Sequence, residues 1–144
     1  MEQNFEIVRR IAVAMNKIDG TYYLSAKKLG INENMLAVLY ALDDGNLHSQ
    51  KQICEEWLIP KTTINTIVKE LIEAGYITLL ARGKTREKNI RLTDSGKAYT
   101  QKVMKSVYAA EQRAIEKTLQ QFPPLFADAL DFFADRLYEE FQKE

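Results

Sequence analysis

Between Lys61 and Lys88 the chain sets short hydrogen-bonding side chains and separated cations along a predicted helix, then repeats the cations in a turn. Ile64, Ile67, Val68, Leu71 and Ile72 recur at steps of three and four, which claims one side of that helix for the interior. Thr62, Thr66 and Lys69 therefore face the other way, with Thr63 and Asn65 flanking them. Lys61 falls in the first turn, where free backbone N–H groups and the helix dipole favour a phosphate. Arg82, Lys84, Arg86 and Lys88 then crowd a short turn that holds one acid, Glu87. The chemistry this set can do is recognition, not bond-making: hydrogen bonds to base edges and neutralisation of phosphates. Asn65 has two uses open to it, paired hydrogen bonds to an adenine or a contact to a phosphate.

Such side chains need a frame, and the flanking residues supply one. Ser49-Gln-Lys-Gln52 reads as a capping box that opens a first helix, so Ser49 and Gln50 are assigned to capping before reading. Ile53, Trp57 and Leu58 give that helix an apolar face. Pro60 ends it, because the residue before a proline is pushed out of the helical region, and proline suits the first position of the next helix. Gly75 can take the left-handed conformation that stops the second helix. Tyr76–Leu80 has strand composition, and Asn89–Leu92 alternates polar and apolar residues. A two-stranded wing follows, with Ile90 and Leu92 inward and the basic tip free to enter a minor groove.

Helix, break, helix and basic hairpin resemble the MarR family of bacterial regulators over nearly the whole chain. The motifs are Ser49-Gln50, Pro60-Lys-Thr-Thr-Ile-Asn65, Leu71-Ile-Glu-Ala-Gly-Tyr76 and the wing through Leu92-Thr-Asp-Ser-Gly96. The resemblance implies a mainly α fold with a small β-hairpin wing, as a single domain. Residues 33–96 would be the winged helix-turn-helix head, and 1–31 and 97–144 the dimerisation helices. It also implies Arg86 as a minor-groove probe. The family's usual Asp-x-Arg before the second wing strand reads Lys84-Thr85-Arg86 here.

A net charge of zero over 144 residues argues against a nucleic-acid partner until its placement is read. Residues 59–91 hold seven basic against three acidic side chains, and residues 111–144 hold four against eight. Positive potential is thus gathered on the proposed reading unit. The chain is long enough for one domain with a core. Its longest apolar run, Met35 to Leu42, is far short of the roughly 18 residues a span requires, so no membrane partner is expected and the location is expected to be cytoplasmic. The one cysteine, Cys54, is read as a buried structural thiol, and the one histidine, His48, lacks the ligands for a metal site. No catalytic constellation, phosphate loop or cofactor motif is present, and an enzyme is not expected.

The terminal regions read as helices in want of a surface. Phe5, Val8, Ile11, Ala12, Met15, Ile18 and Tyr22 form one apolar side of a first helix that Gly20 bends or ends. A short helix from about Asn34 to Asp43 follows, capped by Asn32. Thr93-Asp-Ser starts a long helix that Phe122-Pro-Pro124 breaks, and the last helix carries Leu130, Phe133, Leu137 and Phe141 on one side. In the resembled family such helices interlock two subunits, and the apolar sides here agree with a homodimer. Family members also bind phenolic or drug-like effectors in a cleft, which by resemblance involves Met15, Tyr22, Tyr23, Met35, Tyr40, Met104 and Tyr108; core packing is the competing account of these residues. The reading is a homodimeric repressor of a pseudo-palindromic double-stranded DNA operator, released by a small aromatic effector if one exists. Its rival is a winged-helix module that binds a protein and leaves DNA untouched.

Overall fold

The computed structural model describes residues 2–144 and contains, among them, six helices and one three-stranded antiparallel sheet. The helices are α1 (Glu2–Leu29), α2 (Glu33–Leu42), α3 (Gln50–Trp57), α4 (Lys61–Glu73), α5 (Asp94–Leu119) and α6 (Leu125–Gln142). The strands are β1 (His48–Ser49), β2 (Ile77–Ala81) and β3 (Lys88–Leu92), in the order β1-β3-β2. A mainly α chain with a small wing was expected, and that is the fold. Contacts divide it into two compact units, one ending at Met104 and the other spanning Lys105–Glu144.

Local chemistry accounts for most boundaries. Asn32 caps α2 by accepting the Met35 N–H at 2.7 Å. The capping box of α3 is complete, with Ser49 Oγ accepting the Gln52 N–H at 3.1 Å and Gln52 Oε1 accepting the Ser49 N–H at 2.9 Å. At the end of α4 the Tyr76 N–H reaches the Leu71 carbonyl and the Gly75 N–H reaches that of Ile72, both at 2.9 Å. This closure needs a left-handed residue after the cap, and Gly75 takes it with φ +77°. The interior of the first unit is built from Leu36, Val38 and Leu39 of α2, Ile53 of α3, Ile64, Ile67, Val68 and Leu71 of α4, and Ile77 and Ile90 of the sheet.

Four expectations need correction. Gly20 neither bends nor ends the first helix: α1 runs unbroken to Leu29, because the helical hydrogen bonds on either side outweigh the roughly 1 kcal/mol that one glycine costs. Nothing lies within 4 Å of a Cβ added at Gly20. Gly20→Ala is therefore expected to stabilise the protein by about 0.5–1 kcal/mol, read as a higher urea midpoint, and a lower midpoint would show that α1 needs its glycine. Ile72, placed in the buried stripe of α4, is 42% exposed at its margin. Trp57 and Leu58 do not share Ile53's burial, since the chain turns at Leu58, which is left-handed with φ +48°. Finally, the wing is three-stranded, because His48 and Ser49 pair with Ile90 and Asn89. Pro60 precedes α4 as its cap residue and Lys61 is the first helical position.

Candidate nucleic-acid interface

The side of α4 away from the core is built as its spacing requires. Lys61, Thr62, Thr66 and Lys69 are exposed, and Thr63 and Asn65 are half-buried at the edges. The Thr66 hydroxyl donates back to the Thr62 carbonyl at 3.1 Å, which leaves its oxygen facing outward as an acceptor. Asn65 is held from a neighbouring helix: Gln50 Nε2 donates to Asn65 Oδ1 at 2.5 Å. Gln50 is thus a bridge between α3 and α4, and the capping assigned to it belongs to Gln52. Gln50 takes one lone pair of Asn65 Oδ1, so its second lone pair and its amide N–H groups are what Asn65 offers.

The wing brings its cations to the same place. β2 and β3 pair from Ile77↔Leu92 to Ala81↔Lys88, with Leu79 opposite Ile90 on the inner face. Arg82, Lys84, Arg86 and Lys88 are all exposed. The turn is braced without an aspartate at position 84. Arg82 Nη1 pairs with Glu87 Oε2 at 3.2 Å, and the Thr85 hydroxyl lies 2.9 Å and 3.2 Å from the carbonyl oxygens of Arg82 and Glu87. Glu87 therefore takes Arg82 and not Arg86. Among the described residues neither Arg86 nor Lys61 nor Lys88 has a salt bridge. A cleft of about 580 Å³ gathers Gln50, Lys51, Lys61, Arg86 and Lys88 from α3, α4 and the wing, with Glu55 and Glu87 as its two acids. Thr62, Thr63, Asn65, Thr66, Lys69, Arg82 and Lys84 lie outside its lining. Lys51 was missed from the sequence, and its position in the first turn of α3, beside the cap, was the available signal.

Cys54 lines this cleft and is half-buried, short of the burial expected for it. Burial pushes its thiol above the ordinary value while the charge of Lys61 pulls the other way, so it stays protonated near neutral pH. His48 Nε2 lies 2.8 Å and 2.9 Å from the two carboxylate oxygens of Asp44, and that hydrogen bond holds Asp44 below the usual carboxylate range. No group of three or more His, Cys, Asp or Glu residues among the described ones is arranged to hold a metal.

The model of the MarR family matches residues 29–86, which span α2, both helices of the reading unit and the first half of the wing. A solved MarR family regulator from Neisseria meningitidis is 27% identical, with 99% of this chain and 96% of that one covered and a TM-score of 0.72. Over residues 29–86 and in its fold the chain is similar to the MarR family. A MarR family transcriptional regulator from Silicibacter pomeroyi, 19% identical over 90% of this chain and 93% of that one, has a TM-score of 0.71. A MarR/EmrR family regulator from Acinetobacter, 21% identical over 98% of each chain, has a TM-score of 0.66, and both show the shared fold. No curated protein matches the chain. No helix among its described residues is long and apolar enough to cross a membrane.

The residues named for an effector cleft do not all meet. A cavity of about 410 Å³ opens between α1, α2 and the α3–α4 turn, and Tyr22 and Tyr40 line it. Met35 is half-buried on α2 outside the lining, and Met15 and Tyr23 are exposed on α1. Tyr108 lies on α5 in the second unit. Met104, on the same helix, is fully buried, as core packing would have it. The lining also includes Asp19, Glu33 and Trp57, which no motif had marked.

Proposed function

We propose that the chain is a DNA-binding transcriptional regulator that acts as a homodimer and represses by occupying a pseudo-palindromic operator. One observation carries this reading. The start of α4, the first turn of α3 and the wing tip converge on one cleft whose Lys61, Arg86 and Lys88 have no acidic partner among the described residues. Unpaired cations beside a polar helix face suit a phosphate backbone and a groove, with α4 in the major groove and Arg86 in the adjacent minor groove. Thr62, Thr63, Asn65, Thr66 and Lys69 would meet bases and phosphates from α4, and Arg82, Lys84 and Lys88 would add phosphate contacts from the wing. Residues 33–96 form the reading head in this account, and the terminal helices join two heads.

The apolar side of α1 supports the dimer, since Phe5, Val8, Met15 and Ile18 are exposed in the single chain. Two recognition helices about a two-fold axis reach successive major grooves about 34 Å apart, which sets the operator's symmetry. A ligand in the cavity beside Tyr22 and Tyr40 would release the operator by favouring a head spacing that no longer fits, and only to the extent of its differential affinity.

Gel shifts with DNA from upstream of the protein's own coding sequence, run across a salt series, test the reading. The log–log salt slope is expected to be several units, and Arg86→Ala is expected to weaken operator binding by about tenfold or more and lower the slope by about one. Binding indifferent to both salt and sequence would return the head to the protein-interaction reading.

A further inference from the structure

The cavity between α1, α2 and the α3–α4 turn has a charge and a wall chemistry that single out one kind of ligand. Its charged lining residues are Asp19 of α1 and Glu33 of α2, and no lysine, arginine or histidine joins them. Hydrogen bonding to Asp19, then burial, then repulsion by its charge hold the Glu33 carboxyl above its usual value, which places the two acids side by side. Like charges set this close favour a cation between them. Aromatic rings stand beside the pair. Tyr22 and Tyr40 line the same cavity, and Trp57 meets Tyr40 edge to face with centroids 5.7 Å apart at 62°. Trp57 is 40% exposed, so ring surface remains for a ligand. Leu36, Ala37 and Ile59 supply apolar lining.

Leu58 adds an independent mark. It is the one non-glycine residue with positive φ among those described, it is exposed, and it lines this cavity. A leucine in the left-handed region costs about 1–2 kcal/mol, and strain of this kind collects at ligand clamps.

We propose that this cavity is a receptor for an organic cation, a protonated or quaternary amine on a compact aromatic or apolar body. The ammonium sits against Asp19 and Glu33 and over the ring of Trp57 or a tyrosine, where cation–π attraction adds to the ion pair. The body fills the apolar side, and the volume of about 410 Å³ falls in the range of small-molecule sites. An anionic phenol or carboxylate of the same size would face the two acids and be rejected. The inference deepens the effector part of the proposed function and rests on it for its regulatory consequence, while the binding chemistry stands on the cavity alone.

Trp57 is the only tryptophan in the chain and reports the test directly. Benzyltrimethylammonium is titrated into the full chain against salicylate as the anionic counterpart, with Trp57 fluorescence and calorimetry as readouts. Saturable binding of the cation, none of salicylate at the same concentrations, and about tenfold weaker cation binding in Asp19→Asn/Glu33→Gln are expected. The comparison of the two probes on the unaltered chain needs no variant, and thermal melts establish that the variant is folded. Equal or tighter binding of salicylate, cation binding unchanged in a folded variant, or no saturable binding of either probe would overturn the proposal. In the last case intact operator binding would leave the DNA-binding reading standing. A cation that binds without changing operator affinity upholds the site and removes release by effector from the function.

Discussion

Gly96→Ala is expected to destabilise the protein by about 3 kcal/mol or more, the range for forcing an atom into a packed backbone contact. A Cβ at this position would stand 1.8 Å from the Tyr76 carbonyl oxygen, 2.7 Å from its carbon and 3.0 Å from its Cα. All three are backbone atoms, so no side chain can swing aside. Nor can either segment withdraw cheaply. The Thr93 N–H donates to the same Tyr76 oxygen at 2.9 Å, and the hydroxyls of Thr93 and Ser95 donate to the Gly75 carbonyl at 2.7 Å and 3.0 Å. Tyr76 also stacks on Tyr99 of α5 at 4.3 Å and 10°. The start of α5 is thereby clamped to the turn that ends α4, and the alanine would break the clamp at its centre. Urea unfolding checks this: the midpoint should fall by about 1–3 M at an ordinary denaturant slope for a domain of this size. A midpoint within error of the parent would mean that the close approach at Gly96 does not exist in solution.

The second large effect concerns assembly. Leu130→Glu/Leu137→Glu is expected to convert the proposed homodimer to monomer and to weaken operator binding by about a hundredfold to ten-thousandfold, the usual gain from linking two binding events. Both leucines lie on the side of α6 that also carries Phe126 and Phe141, and they are 41% and 37% exposed in the single chain. Burying a leucine contributes about 1.5–3 kcal/mol, and each dimer would lose that at four places while gaining four carboxylates. The positions are exposed, so helicity should stay at the parent level by circular dichroism while sedimentation reports a monomer. A variant that sediments as a dimer would place the interface elsewhere.

Much of the proposed reading head was legible because short-range physics decides it. The stripe of Ile64, Ile67, Val68 and Leu71 follows from helical period alone, and the Ser49–Gln52 box and the Gly75 closure from the hydrogen-bonding needs of helix ends. The outward set of Thr62, Thr66 and Lys69 is what remains once the stripe is assigned. The exposed basic turn from Arg82 to Lys88 needed only composition and two flanking strand patterns.

What escaped the sequence depends on partners distant along the chain. Two residues carry no periodicity, so β1 at His48–Ser49 exists only because β3 arrives beside it. Gln50 reads as a capping residue until α4 places Asn65 within its reach. Gly96 read only as the last residue of the wing motif, and the return of Tyr76 makes it a position where no Cβ fits. Asp19 and Glu33 sit fourteen positions apart with no shared motif, and the turn between α1 and α2 makes them neighbours. The sequence by itself determined the helices, the β2–β3 hairpin, the caps of α2 and α3 and most of the stripe α4 buries, because those choices rest on near neighbours. Tertiary structure alone decided which side chains meet across elements, since a hydrogen bond, a clash or a pair of facing acids depends on distances that no local pattern encodes.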